Sequence, residues 1–161
     1  MFTTTNYKLL KMTILDKIIA FKKKEVRKIK ADVPLKKLVG SPLFKRTPIS
    51  LKKSLLEVNS TGIIAEFKRQ SPSKGVINDK ATIEEVTKGY LDANVAAQSI
   101  LTDTSFFGGT MVDLMQARTI NTIKPILRKD IIIDGLQIVE ATAIGADVIL
   151  LIAACLTKEE L

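Results

Sequence analysis

Histidine is missing from all 161 residues, and cysteine occurs once, at Cys155. Without histidine, acid–base chemistry falls to Lys, Asp, Glu or Tyr, and a Ser-His-Asp arrangement is excluded. One cysteine cannot form an internal disulfide and leaves no thiol set for a metal cluster. No metal cluster is therefore expected, and a reducing, cytoplasmic setting fits; no cofactor is expected either. No apolar run reaches the roughly 18–20 residues that a membrane span needs. Residues 1–11, M-F-T-T-T-N-Y-K-L-L-K, lack the long apolar core and small-residue cleavage site of a signal peptide.

Acidic residues are scarce in the first third. Residues 1–53 carry fifteen Lys/Arg against three Asp/Glu, or +12, while residues 54–161 carry ten against fourteen, or −4. The composition as a whole, 46% hydrophobic and 26% charged, is that of a soluble globular protein. At this length one core can bury roughly two thirds of the unfolded surface.

The basic third reads as helical. Thr13–Lys30 places Ile14, Ile18, Phe21, Glu25 and Ile29 on or near one face, with lysines over the rest. Its apolar stripe is expected to pack on the rest of the fold and its lysines to stand in solvent. Val33–Arg46 holds Pro34, Gly40 and Pro42 and reads as a loop with one short helical turn. Ser50 can cap a short helix carrying Leu51, Leu55 and Leu56.

From Gly62 onward, near-continuous apolar runs alternate with amphipathic segments. Strands are expected at Ile63–Lys68, Ala97–Thr102, Pro125–Lys129 and Val148–Leu151, and helices at Thr82–Ala93, Met111–Thr119 and Asp134–Ile144. Thr157 opens a capping box with Glu160. A doubly wound open sheet shares this alternation. The dinucleotide-binding glycine pattern is missing after the first strand, and charges gather at the strand ends Lys68, Asp103 and Lys129, where a β/α barrel builds its active site.

Residues 62–77, G-I-I-A-E-F-K-R-Q-S-P-S-K-G-V-I, are the most informative stretch. Alternation along a strand puts Ile64, Glu66 and Lys68 on one face. Opposite charges there are costly unless they serve each other or a ligand. Lys129, in K-P-I-L-R-K-D-I-I, shares a face with Leu127, and Arg128 takes the other. An ammonium in the barrel mouth suits a general acid or an imine-forming amine. The alternative is a plain ion pair with Asp130 or Glu66. Ser71-Pro72-Ser73 is a stiffened loop whose hydroxyls and N–H groups can face an anion, or an ordinary turn.

Glu66-x-Lys68 followed by Arg128-Lys129-Asp130 resembles the signature of the indole-3-glycerol-phosphate synthases, and the resemblance runs from about Ile14 to the end of the chain. It implies an α/β fold: the N-terminal portion of a (β/α)8 TIM barrel, about four β-α units, behind an N-terminal helical extension. Residues 1–61 would form the extension and residues 62–161 the partial barrel. It implies a carboxy-lyase of tryptophan biosynthesis acting on a phosphorylated small molecule. Lys129 would be the general acid, Lys68 would hold the substrate carboxylate, and Glu66 would orient Lys68. Ser71 would face the phosphate end, Phe107 would pack near the aromatic ring, and Leu151 would join the fourth-strand apolar wall.

The resemblance has two departures. Ile131 stands where the family commonly has an aromatic residue. The family's fifth-strand base glutamate, its sixth-strand asparagine and the glycine-rich phosphate sites of its last two strands have no positions in this chain. A fragment truncated at the start of the fourth barrel helix and inactive alone is therefore the expectation, with possible self-association through the open half-barrel. Met12 begins M-T-I-L-D-K-I-I, similar to where family members start, so residues 1–11 read as an appended start. The competing reading is a half-barrel scaffold whose basic arm binds or assembles with a partner. That arm has few aromatics and no nucleic-acid motif, so no nucleic acid is expected.

Overall fold

Thr13 caps the start of the first regular element. In the computed structural model, which describes residues 12–161, the Thr13 hydroxyl accepts from the Asp16 N–H and the Asp16 carboxylate accepts from the Thr13 N–H. Helix α1 follows over Ile14–Asp32. The expectations placed on residues 1–11 lie outside the described residues. The buried line of α1 is Ile18, Lys22 and Val26, spaced four apart. The expectation that its lysines stand in solvent thus fails at Lys22, which is 4% exposed, while Phe21 and Ile14 remain 39% and 54% exposed.

The region expected to be a loop with one turn forms two. Helix α2 spans Leu35–Val39 after Pro34, whose ring presets φ at −60°, and a 3-10 turn spans Pro42–Lys45 behind the Ser41 cap. Helix α3, Leu51–Leu56, is capped by Ser50 as expected. Its Ser54 hydroxyl donates 2.6 Å to the Ala96 carbonyl and so fixes α3 against the sheet.

The sheet then builds in chain order. Strand β1 is Ile64–Phe67. The Ser-Pro-Ser loop contains a hairpin that the periodicity does not announce, β2 at Gln70–Ser71 and β3 at Gly75–Val76. Helix α4 (Ile83–Asp92) leads to β4 (Ala97–Leu101), and α5 (Thr104–Phe107) and α6 (Met111–Ile120) lead to β5 (Ile126–Lys129). Helix α7 (Gly135–Ala143) leads to β6 (Val148–Ile149). The fourth barrel strand is thus shorter than Val148–Leu151. A 3-10 turn over Ala153–Cys155 follows it.

β1, β4, β5 and β6 pair in parallel and in that order. Each new strand is added on the same side of the last, as in a β/α barrel; a doubly wound sheet would turn back. The fold is α/β, a parallel sheet with seven α-helices among the described residues, and corresponds to part of such a barrel. One face carries the core, where Phe67, Ile100 and Ile126 meet Ile83, Leu114, Ala117 and Ala141 of the helices. Residues of the other parity form the inner face. Glu66 lies level with Ser99 and Ser99 with Leu127, and Leu101 lies level with Lys129.

The turn after β4 depends on glycine. Gly108 caps α5 in the left-handed region at φ 65°, and a Cβ on Gly109 would stand 2.1 Å from the Leu101 carbonyl oxygen. Only glycine lets the chain pass that close to the strand it has just left.

Candidate active site

Face parity on β1 puts Glu66 and the following Lys68 on the inner side, and β5 brings Lys129 to the same end. The Glu66 carboxylate lies between the two ammonium groups, with Oε1 3.0 Å from Lys68 Nζ and Oε2 3.8 Å from Lys129 Nζ. All three side chains are about one-third exposed (31–33%), open to a ligand from the mouth. The Tyr90 hydroxyl donates 2.9 Å to the Glu66 carbonyl and steadies this strand end from α4.

Lys68 also borders a second space. A cavity of about 420 Å³ is lined by Lys68, Ser71, Lys74, Ile77 and Phe107 together with Ile14 and Ile18 of α1. The Ser71 Oγ accepts from the Lys74 N–H at 3.2 Å and stands 3.5 Å from the Ser73 hydroxyl, so the loop presents two hydroxyls and a lysine beside Lys68. Five of the six candidate residues thus fall into two groups that share Lys68. Leu151 joins neither. With the strand ended at Ile149, it lines a separate hollow with Ile132, Ile133, Asp134, Gly135 and Ile138.

Arg128 takes the opposite face, as its parity requires, and is 1% exposed. Its guanidinium meets Asp130 at 3.0 Å and Glu140 at 2.9 Å and donates to the Gln137 carbonyl. The Thr102 hydroxyl donates 2.7 Å to Asp130. Into this cluster comes a residue that the periodicity did not select. Lys22 of α1 lies 2.9 Å from Asp103, 2.9 Å from Asp130 and 2.7 Å from Glu25. The sequence does carry a signal for it: Lys22 stands four residues from both Ile18 and Val26, on the line of the apolar stripe.

Burial by itself would lower the Lys22 pKa. The charges of Asp130 and Asp103 and the contact with Glu25 more than offset it, so the ammonium is held above the usual lysine value. Burial would likewise raise the Asp130 carboxyl, but Lys22, Arg128 and the Thr102 hydroxyl hold it below the usual carboxylate range. Asp113 is depressed in the same way, its burial outweighed by Arg69 and Thr110. A carboxylate depressed in the fold contributes stability that is present above its unfolded value and lost as pH falls through the folded one. A raised lysine contributes stability that is complete below its unfolded value and lost only as pH climbs past the folded one. These groups should therefore leave stability flat between about pH 5 and 10 and remove it below about pH 4. Urea midpoints across pH test this: Asp130→Asn should be less stable at neutral pH and show a shallower acid limb. An unchanged limb in both Asp130→Asn and Asp113→Asn would refute the assignment.

Among the described residues no cluster of three or more His, Cys, Asp or Glu is placed to hold a metal ion. No helix of the described residues is long and apolar enough to cross a membrane. Cys155 is half-buried, and burial pushes its thiol up. What the cluster can do is bind an anion at Lys68, deliver a proton from Lys129 and stabilise nearby positive charge with Glu66.

Comparison with known proteins gives a consistent set of relatives. The sequence model of the family described as indole-3-glycerol phosphate synthase matches residues 15–161. An indole-3-glycerol phosphate synthase of Bacteroides thetaiotaomicron is 46% identical over 147 residues, covering 91% of this chain and 56% of that protein. One from Carboxydothermus hydrogenoformans is 39% identical over 153 residues, covering 91% and 58%. One from Bacillus cereus is 46% identical over 150 residues, covering 92% and 55%. The chain spans about half the length of the curated relatives it matches.

Proposed function

Since this chain belongs to the indole-3-glycerol phosphate synthase family, we propose that it carries the proton-donating and carboxylate-binding half of that active site. The reaction is the conversion of 1-(o-carboxyphenylamino)-1-deoxyribulose 5-phosphate to indole-3-glycerol phosphate, with loss of CO2 and water. The observation that carries this reading is the placement of one carboxylate, Glu66, between two ammonium groups, Lys68 and Lys129, on the inner ends of β1 and β5.

The chemistry asks for such a set. Lys68 holds the substrate carboxylate, while Ser71 and the loop beside it face the phosphate end. Phe107, on the wall of the same cavity, packs against the aromatic ring. Lys129 gives its proton to the ribulose carbonyl oxygen as the ring carbon attacks the carbonyl carbon. Glu66 holds Lys68 in place and offsets the positive charge that develops on the anilino nitrogen during condensation. Leu151, which lines a different hollow, is assigned to the fourth-strand apolar wall on the family resemblance alone.

The partner is a phosphorylated small molecule, and the cytoplasm is its natural place. Self-association through the inner face is a further part of this reading, supported by Ile64 at 42% exposure. Nucleic acid is not part of this reading, because the basic arm has few aromatics and no nucleic-acid motif.

The test joins residues 12–161 to the part of the Bacteroides thetaiotaomicron relative that lies beyond the matched segment. The fusion should form product, followed by indole fluorescence. The 161-residue chain alone should fall short by at least about 10²–10⁴-fold, the usual cost of a missing general base. A folded but inactive fusion would overturn the reading.

A further inference from the structure

Lys22 reaches the strand ends from outside the inner face. Its ammonium lies within 2.7–2.9 Å of three carboxylates, those of Glu25, Asp103 and Asp130. Asp130 follows Lys129 directly and points the other way. Its Oδ1 meets Lys22 and accepts from the Ile131 N–H, and its Oδ2 accepts from Thr102 and Arg128. Asp103 ends β4. Its Oδ1 caps α5 by accepting from the Phe106 N–H at 2.8 Å, and its Oδ2 faces Lys22. The Thr102 N–H donates 3.1 Å to the Lys129 carbonyl, so the two strand ends are also joined along the backbone.

We infer that Lys22 is a positioning residue. By bridging Asp103 and Asp130, its ammonium clamps the ends of β4 and β5 and so fixes Lys129 and the Phe107-bearing turn on the mouth side. This inference rests on the functional reading above. Arg128 touches Asp130 and Glu140; among the described residues, the cation on Asp103 is Lys22. The cluster holds two cations, Lys22 and Arg128, against four carboxylates, Glu25, Asp103, Asp130 and Glu140. Without Lys22 the remaining cation, Arg128, meets Asp130 and Glu140 but not Asp103. Two buried carboxylates then oppose each other with nothing between them. They relieve the repulsion by parting or by binding a proton, and parting shifts the backbone that carries Lys129. The helix also brings Phe21 edge-on to Phe106 at 5.7 Å, so the same helix that supplies the ammonium braces α5.

Amide hydrogen exchange on the 161-residue chain tests the clamp without any activity. Lys22→Met should speed exchange about tenfold or more over residues 102–109 and 130–133, leave β1 and α4 at their original rates, and be reversed by Lys22→Arg. No change, or a uniform rise across the chain, would overturn the clamp. Should Lys22→Met not fold, Lys22→Met/Asp103→Asn is read in its place, since Asn keeps the α5 cap while removing one opposed charge. In the fusion protein, assayed well below its melting temperature, Lys22→Met should lower kcat by up to about 100-fold with a much smaller change in KM. Lys22→Arg should restore most of it. Loss of activity in Lys129→Ala together with full kcat in Lys22→Met would overturn the positioning role alone. Retained activity in Lys129→Ala would instead remove the functional reading on which it rests.

Discussion

Lys129→Ala in the fusion protein should lower kcat by about 10²–10⁴-fold, the range expected when a positioned general acid is removed. KM should move much less, because the substrate carboxylate is assigned to Lys68 and the phosphate end to the Ser71 loop. The effect should be chemical rather than structural. Lys129 is one-third exposed and meets Glu66 only at 3.8 Å, a loose pair whose loss changes stability by less than about 1 kcal/mol. Lys129→Arg should not rescue the rate. A guanidinium keeps the charge but stays protonated at any accessible pH, so it is a poor proton donor. Lys68→Ala should behave differently and raise KM as well, since it loses an anion contact made before and during the reaction. Steady-state indole fluorescence on folded variants, checked by circular dichroism, separates these outcomes. If Lys129→Ala keeps more than about a tenth of kcat, the assignment of the proton donor is wrong.

The placement of the charged trio, though not the role of each member, which rests on the family resemblance, was open to sequence reasoning because strand geometry is simple. Period-two alternation sends Glu66 and Lys129 inward and Arg128 outward, and parallel register brings the inward residues level, so parity alone assembles the charged trio. The same logic fails where the strand stops. Leu151 lies beyond the end of β6, where the backbone leaves the sheet after Ile149 and turns through Ala153–Cys155, so parity alone does not place it. The helix cap at Ser50 was legible, because a hydroxyl three residues before an N–H in need of a partner is a local signal. The hairpin of β2 and β3 was not legible: two-residue strands have no periodicity to read.

Lys22 shows why a residue's type misleads when its partners are distant. In a run of three lysines it looks like part of a solvated face, yet the carboxylates that make its burial tolerable lie about 80 and 110 residues away at Asp103 and Asp130. Arg46 repeats the pattern at the opposite end of the strands, where it meets Asp147. The positive excess of the N-terminal third is thus partly spent on acidic groups of the sheet, so part of the charge asymmetry in the sequence reflects docking of the extension.

Asp147→Ala should be the most damaging single substitution for stability, costing about 3–5 kcal/mol, the range for breaking a buried ion pair from one side. The carboxylate has no exposed surface, and both its oxygens are fully used. Oδ1 accepts from Arg46 and from the Ile49 N–H, each at 2.7 Å; Oδ2 accepts from Arg118 and, at 2.8 Å, from the Ile126 N–H. It therefore joins the N-terminal segment, α6, the first residue of β5 and the approach to β6. Alanine would leave the Arg118 guanidinium buried without its counter-ion, although its bonds to the Gly145 and Asn121 carbonyls survive. Two backbone N–H groups would lose their acceptor as well, and an orphaned buried donor adds about 1–3 kcal/mol unless water reaches it. Asp147→Asn should recover little, because its NH2 would face a guanidinium or an N–H where an acceptor is needed. The Glu84–Lys88 pair, more than half exposed on both sides, is the control: Glu84→Ala should leave the urea midpoint essentially where it was. Against a typical total of about 5–15 kcal/mol for a domain, the Asp147 change should be visible as a large fall in urea midpoint at unchanged slope. Limited proteolysis should show residues 46–50 cut first, because they lose two anchors to the sheet. A change below about 1 kcal/mol would mean that the N-terminal segment is held by its apolar contacts instead, and that the Arg46–Asp147–Arg118 junction contributes little beyond satisfying its own buried charges.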